Sequence, residues 1–135
     1  MSRIAVVYWS GTGNTQSMAE AIAAQAGAAL FSAADFSADL IPGFDAIAFG
    51  CPSMGNEQLE DSEFEPMFER CKTALCGKKI ALFGSYGWGD GEWMRAWEGD
   101  CAAAGAVLAC ESVICRDAPN DGAMTALRAL ADALK

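Results

Sequence analysis

The sequence predicts an α/β protein in which five parallel strands alternate with helices in one domain, residues 1–135. Strand-like and helix-like segments alternate from one end of the chain to the other, which is the pattern of an open parallel sheet with helices on both faces. The apolar runs are continuous, as expected for strands that are buried on both sides. Glycine-rich loops follow the first and fourth runs. The expected architecture is therefore a three-layer αβα sandwich.

Five segments have the composition of strands. Residues 4–8, 46–50 and 79–84 are short apolar runs bounded by polar or glycine-rich loops. Residues 28–31 form a weaker run, and residues 106–115 supply the last strand. The crossovers between successive parallel strands are expected to be right-handed.

Four helices are predicted between and after these strands. Residues 16–25 are rich in alanine, and residues 93–104 follow a glycine-rich loop. A helix over residues 62–75 is expected because Ser62 and Glu65 have the spacing of a capping box at its start. The last helix has four apolar residues on one face: Met124, Leu127, Ala131 and Leu134.

The composition excludes several classes of function. The net charge of −9 would repel nucleic acid, and no run of 18 apolar residues is present to span a membrane. The chain has no histidine and therefore no histidine-based catalytic triad. Its six cysteines include no C-x2-C pair of the kind that zinc and iron–sulfur sites use. The apolar run at residues 4–8 is too short for a secretory signal, so we expect free thiols and a cytoplasmic location.

Acidic residues are concentrated between positions 57 and 69. This stretch is either a solvated helix face with a favourable helix N-terminus or a docking surface, and the two interpretations are compatible. We expect redox partners with basic docking surfaces, because the acidic chain would attract them. Six carboxylates make up the stretch: Glu57, Glu60, Asp61, Glu63, Glu65 and Glu69.

The loop after the first strand has the composition of a phosphate site. Its glycines allow a tight turn, and the start of the next helix adds free N–H donors with a partial positive charge. A P-loop would require a lysine, but the first lysine of the chain is Lys72, and a dinucleotide fingerprint would require glycine where this chain has Gln16. A single terminal phosphate held by neutral donors fits best. The loop consists of Ser10, Gly11, Thr12, Gly13, Asn14 and Thr15.

The loops after the third and fourth strands are expected to hold a flat ring. Trp88 lies between two glycines, where it has little local packing and is well placed to stack on a ligand. Met54, on the opposite loop, would cover the other face of the ring with its thioether. Gly55 and Asn56 both accept positive φ, so the peptide between them can reorient, and Glu57 is an acceptor for a ring N–H.

Two long motifs resemble those of the short-chain, clostridial-type flavodoxins. Residues 8–15, YWSGTGNT, are similar to the phosphate signature of that family, and residues 83–91, FGSYGWGDG, are similar to its ring-binding loop. Residues 51–57 and 63–66 also match that subgroup. The resemblance implies the strand order 2-1-3-4-5, with one non-covalently bound FMN at the switch point between strands one and three.

The resemblance also implies roles for matching residues. The first loop, with Ser85, would hold the FMN phosphate, and Met54 and Trp88 would flank the ring. The carbonyl of the Gly55–Asn56 peptide would turn towards flavin N5 and stabilise the semiquinone, although many relatives have aspartate at position 56. Glu57 would accept a hydrogen bond from ring N3–H. The other expected cofactor-binding residues are Ser53, Tyr86, Gly87, Gly89 and Asp90.

The function implied is that of a low-potential one-electron carrier that cycles mainly between semiquinone and hydroquinone. Carboxylates near the ring would destabilise the anionic hydroquinone. A monomer is expected, because a carrier must meet two partners with the same exposed flavin edge. The alternative is an NAD(P)H-dependent FMN or quinone reductase of the same fold, but Met54 and Trp88 would leave a nicotinamide no room over the ring. We assign no catalytic residue and no metal ligand.

Overall fold

The computed structural model describes residues 3–55 and 57–135 and contains six strands and four α-helices in those ranges. Two short 3₁₀ segments, Ala33–Asp35 and Ala38–Gly43, connect the second and third strands. The strands are β1 Ile4–Tyr8, β2 Ala29–Ser32, β3 Ala46–Gly50, β4 Lys79–Tyr86, β5 Val107–Leu108 and β6 Val113–Arg116, and the helices are α1 Asn14–Ala26, α2 Phe64–Lys72, α3 Glu92–Ala103 and α4 Asp121–Leu134.

The sheet confirms the predicted fold and strand order. Every pairing between named strands is parallel, and the order is β2-β1-β3-β4-β5, with β6 also paired to β4. β1 has β2 on one side and β3 on the other, so the chain reverses its direction of winding between them. In sheets of this kind a crevice opens at that point, beyond the carboxyl ends of the strands.

The fifth predicted strand is divided into two. β5 pairs at Ile80–Leu108 and β6 at Phe83–Val113, so three steps along β4 correspond to five along its partner. The edge strand therefore carries two extra residues between the paired segments, which form a bulge instead of continuing the ladder. Periodicity alone does not reveal this break, because it depends on the register of the edge strand against β4.

The two faces of the sheet bury different kinds of side chain. Alternate residues of the central strands point to opposite sides, so Val7 and Phe49 lie on one face while Val6 and Ala48 lie on the other. The first face packs against α2 and α3 and is rich in aromatic rings. The second packs against α1 and α4 and is mainly aliphatic. The face of α4 predicted from the sequence is partly confirmed, since Leu127, Ala131 and Leu134 are fully buried, joined by Leu130.

The start of α2 differs from the predicted capping box. The helix begins at Phe64, and the Glu60 carboxylate takes the place of a serine cap. It accepts hydrogen bonds from the N–H groups of Ser62, Glu63 and Phe64, each over 2.8 Å, and from the Ser62 hydroxyl. A buried carboxylate satisfies several free N–H groups and also interacts favourably with the helix dipole, so it displaces the weaker serine cap.

The helices of the described residues do not reach the length and apolarity that crossing a bilayer requires.

Candidate functional site

A cleft of about 210 Å³ lies beyond the carboxyl ends of β1, β3 and β4. It is formed where the three loops singled out from the sequence meet. Eleven residues line it: Trp9, Gly11, Thr12, Asn14, Pro52, Ser53, Met54, Ser85, Tyr86, Gly87 and Asp117. The structure therefore brings much of the predicted phosphate loop to the same cavity as parts of both predicted ring loops.

The phosphate loop is closed by its own side chains and leads directly into α1. Gly13 has φ +96°, a left-handed conformation that favours glycine, and it is the N-cap residue immediately before α1. Its N–H donates to the Ser10 hydroxyl oxygen over 3.0 Å. The next N–H groups of the helix have no intrahelical partner and point out of its N-terminus. The loop itself carries no charged side chain, so an anion would be held by neutral donors and the helix dipole.

The phosphate loop is tied to β4 by a buried pair of hydroxyls. Thr15 and Ser85 are almost completely buried, and their oxygens lie 3.2 Å apart in a hydrogen bond. The Ser85 carbonyl accepts from the N–H of Ser53 over 3.0 Å, which ties the second loop to the same strand. Ser85 thus lies at the junction of the phosphate loop and the ring loops.

The second loop forms a tight turn. The backbones of Met54 and Gln58 exchange hydrogen bonds of 2.8 and 2.9 Å, and both Gly55 and Glu57 have positive φ inside the turn. Asn56 lies outside the described residues, so the predicted reorientation of the Gly55–Asn56 peptide stays a prediction.

Glu57 joins the two ring loops. Its Oε1 atom accepts from the N–H of Gly91 over 3.2 Å and from the N–H of Glu92 over 3.0 Å, at the start of α3. A Cβ atom at Gly89 would lie only 2.5 Å from the carboxylate carbon of Glu57, so this close approach requires glycine at position 89. Oε2 of Glu57 makes no hydrogen bond among residues 3–55 and 57–135.

The predicted ring-stacking residues are more exposed than ordinary apolar side chains. Trp88 is 58% exposed and Met54 is 37% exposed, whereas most large apolar residues of the chain are buried. Met54 lines the cleft, but Trp88 does not contribute to the cavity wall. The other members of the fourth-strand loop, Gly89 and Asp90, also lie outside the wall, next to Glu57 and Arg95 respectively.

Three residues of the cleft are additions to the site predicted from the sequence. Trp9 packs over Gly11 and donates its indole N–H to Glu63 over 3.0 Å. Pro52 precedes the second loop. Asp117 reaches the cleft from the end of β6 in a left-handed conformation, φ +58°. The fold sets this backbone conformation. The sole sequence signal for Asp117 as a site residue is its position directly after a predicted strand.

A larger groove of about 600 Å³ lies between α4 and the bulged edge strand. Its walls are formed largely by small residues of α4, such as Ala123 and Ala126, and by the bulge itself. It is formed by a different edge of the molecule from the three loops. The smaller cleft has the helix N-terminus and the converging hydroxyl groups, and we assign the site to it.

The fold and this cleft define a class: doubly wound α/β proteins that bind a phosphate-bearing ligand at the topological switch point. The family model described as Flavodoxin matches residues 6–129. A flavodoxin from Clostridium beijerinckii is 45% identical over 121 residues, which cover 86% of this chain and 88% of that protein. A flavodoxin from Megasphaera elsdenii is 49% identical over 110 residues, 78% and 80% of the two chains. The solution structure of two-electron reduced Megasphaera elsdenii flavodoxin superimposes with a TM-score of 0.89, covers 97% of each chain and is 40% identical.

The chain belongs to the flavodoxin family. It is an FMN-binding electron carrier, and the alternative of a reductase with its own substrate turnover is not favoured. The donor set fits the cofactor, because a neutral, hydroxyl-rich helix N-terminus and the exposed thioether of Met54 belong to one cleft.

Proposed function

We propose that the phosphate of FMN binds at residues 10–15, against the N-terminus of α1. The observation that supports this most strongly is the buried hydrogen bond between Thr15 and Ser85, which holds the phosphate loop against the end of β4. The Ser10 hydroxyl is already used to close the loop. The donors for the phosphate are therefore the free N–H groups of the helix and the side chains that line the cleft, Thr12 and Asn14.

The ring of FMN is proposed to lie between the loops that Glu57 holds together. Met54 would cover one face and Trp88 the other, which accounts for the exposure of two large apolar side chains at the same edge. Glu57 has one carboxylate oxygen committed to the start of α3, and the other is available to accept from ring N3–H. The backbone of Gly87 and Gly89 would serve the pyrimidine edge, and the peptide after Gly55 would turn towards N5.

A low potential for the second electron is the proposed consequence of the local charge. FMN supplies the one-electron chemistry, and the protein sets the cost of placing negative charge on the ring. The carboxylates of Glu57, Asp90 and Glu92 have oxygens within 4.8 Å of one another beside the ring loops. One such charge about 10 Å away, at an effective dielectric of about 40, contributes roughly 0.8 kcal/mol against reduction. For a one-electron couple this is about 35 mV.

The exposed edge around Trp88 is the proposed docking surface for redox partners. Three acidic residues cluster beside the ring loops, and more precede α2 in the sequence, so a partner with a basic surface would be steered towards the cofactor. A monomer fits this role, since one exposed edge would serve both donor and acceptor. All six cysteines are free, which agrees with a reducing, cytoplasmic setting.

Binding of flavins to the apoprotein tests the placement of the phosphate. FMN and riboflavin share the ring, so only FMN can use the phosphate loop. We expect FMN to bind at least about 100-fold more tightly than riboflavin, as several charge-assisted hydrogen bonds would provide. Equal dissociation constants for the two flavins, measured by quenching of flavin fluorescence, would refute the phosphate assignment.

The proposed docking surface is tested by the salt dependence of electron transfer to a small basic redox protein. Screening weakens attraction between exposed charges, so the second-order rate constant should fall as salt rises from about 10 mM to 500 mM. A rate constant that is independent of salt, or that rises with it, would remove electrostatic steering from the account.

A further inference from the structure

Arg116, the last residue of β6, contacts the ring-binding loop with its guanidinium group. Nη2 donates to the Gly89 carbonyl over 3.3 Å, and the guanidinium carbon lies 5.4 Å from the centre of the Tyr86 ring. Both partners are neutral. Within residues 3–55 and 57–135 Arg116 forms no ion pair. Its positive charge is therefore held against the loop without a contacting carboxylate.

Arg95 holds the same loop in a different way. Its Nη2 lies 3.1 Å from Oδ1 of Asp90, and its Nη1 donates to the Asp90 carbonyl over 3.1 Å. The charge of Arg95 is thus compensated locally by the residue it contacts. Two arginines contact this loop, and the positive charge of Arg116 is the one that is not paired with a carboxylate.

The backbone around Arg116 is fixed, which limits where its side chain can reach. Arg116 is opposite Tyr86 in the parallel register of β4 and β6. The next N–H, that of Asp117, donates to the Tyr86 carbonyl over 2.9 Å. The loop that begins after Tyr86 is therefore held by a guanidinium at Gly89 and by the Glu57 carboxylate at Gly91.

We propose that Arg116 is a positioning residue that fastens the Trp88-bearing loop and holds an uncompensated positive charge beside the flavin ring. This inference rests on FMN binding as described under Proposed function. The charge favours the fully reduced, anionic flavin and so opposes the nearby carboxylates. Arg116 thereby sets how far the potential for the second electron falls.

Four variants separate charge from contact. Arg116→Gln keeps a hydrogen-bond donor but removes the charge, and Arg116→Lys keeps the charge. Lys79→Gln makes the same change in net charge at the first residue of β4, about 23 Å along the strand from Tyr86. That distance exceeds the Debye length at physiological salt, about 8 Å. Arg116→Ala removes both charge and contact, and it is used to test the loop in the apoprotein.

The potential for the second electron is measured by anaerobic titration of each FMN-loaded protein. Arg116→Gln should shift the equilibrium against full reduction about fourfold, as expected for one charge about 10 Å away at an effective dielectric of about 40. This corresponds to about 36 mV for a one-electron couple. In Arg116→Lys and Lys79→Gln the equilibrium constant for full reduction should stay within about 1.5-fold of that of the unsubstituted protein.

The proposal would be overturned if Arg116→Gln and Lys79→Gln had the same potential for the second electron. It would also be overturned if Arg116→Gln and Arg116→Lys lowered that potential equally. In the apoprotein, chymotrypsin should cleave after Trp88 at least about threefold faster in Arg116→Ala than in Lys79→Gln, and equal rates would show that Arg116 does not fasten the loop. If none of the proteins binds FMN, it is the proposed function that fails. If all bind FMN with one shared potential, only the inference about Arg116 fails.

Discussion

The two ends of the cleft are built in different ways. The phosphate loop, residues 10–15, is continuous in sequence, carries no charge and is closed by a hydrogen bond between two of its own members. The ring loops are assembled from distant segments and are rich in charge. Glu57 and Arg116 both hold the loop after β4, and Trp88, next to the Arg116 contact at Gly89, has more than half of its surface exposed.

This contrast indicates that the phosphate end mainly determines the affinity for FMN and that the ring end mainly determines its reduction potential. A helix N-terminus with neutral donors binds an anion strongly without adding a fixed charge. Charged side chains around an exposed ring shift the free energy of reduction, since their field acts on the charge that the ring gains. We therefore expect substitutions at the two ends to change different measured quantities.

The largest expected effect is at the phosphate end, in Thr12→Asp. Thr12 is exposed and lines the cleft, so the substitution places a carboxylate against the phosphate. A dianion and a carboxylate about 5 Å apart, at an effective dielectric of about 50, repel each other by about 2.7 kcal/mol. FMN affinity should fall roughly 100-fold.

Riboflavin and Thr12→Asn are the controls for this substitution. Riboflavin has no phosphate, so its affinity for Thr12→Asp should stay nearly unchanged, and Thr12→Asn should bind FMN within a few-fold of the parent protein. If titrations of the Thr12→Asp apoprotein show the same loss of affinity for FMN and for riboflavin, the carboxylate acts through the ring or the fold and not through the phosphate.

Glu60→Gln should cost about 2 kcal/mol of unfolding free energy. The buried carboxylate accepts three backbone hydrogen bonds at the start of α2, and the amide of glutamine would present its own N–H groups to the same donors. The check is urea unfolding of both FMN-loaded proteins at pH 7 with equal free FMN. Asp61→Asn, an exposed acid beside it, is the matched control and should change the free energy by less than about 0.5 kcal/mol.

The stabilising effect of Glu60 should depend on pH. Burial alone would raise the pKa of Glu60, but hydrogen bonds from Ser62, Phe64 and Glu63 outweigh it and lower the pKa below its ordinary value near 4.5. A carboxyl with a depressed folded-state pKa contributes fully above its unfolded pKa and loses the contribution as pH falls through the folded value. The difference between the parent protein and Glu60→Gln should therefore be constant above about pH 5.5 and shrink below about pH 4.5. A difference that grows as the pH falls would contradict the role of Glu60 as an ionised cap.

Trp88→Ala has the smallest expected effect on binding, about tenfold. Stacking of an aromatic side chain on a heteroaromatic ring is worth about 1–3 kcal/mol, and the exposure of Trp88 places it at the low end of that range. The affinities for FMN and for riboflavin should fall by the same factor in Trp88→Ala, in contrast to Thr12→Asp. If Trp88→Ala weakens FMN alone, the proposed position of the ring is wrong.

The sequence predicts the phosphate end better than the ring end, for a physical reason. Residues 10–15 act through backbone geometry and a helix start, which are local properties that a short motif encodes. The contacts of Glu57 with Gly91, of Arg116 with Gly89 and of Asp117 with the cleft join residues from separate parts of the chain. No local pattern encodes these distances, so the sequence indicates Glu57 without its partners and does not indicate Arg116 or Asp117.

The same limit applies to the fold. The apolar runs of β1, β3 and β4 are buried on both faces, and their composition alone reveals them. The bulge that divides the last edge strand depends on its register against β4, and the cap of α2 depends on the buried position of Glu60. Both are tertiary effects that override local propensity.

The central claim, that the ring end sets the potential of an FMN electron carrier, is tested most directly by potentiometric titration of the purified FMN-loaded protein without oxygen. The account predicts two separate one-electron steps, with the second at a potential well below that of free FMN. A single two-electron step, or a second step at the potential of free FMN, would contradict it.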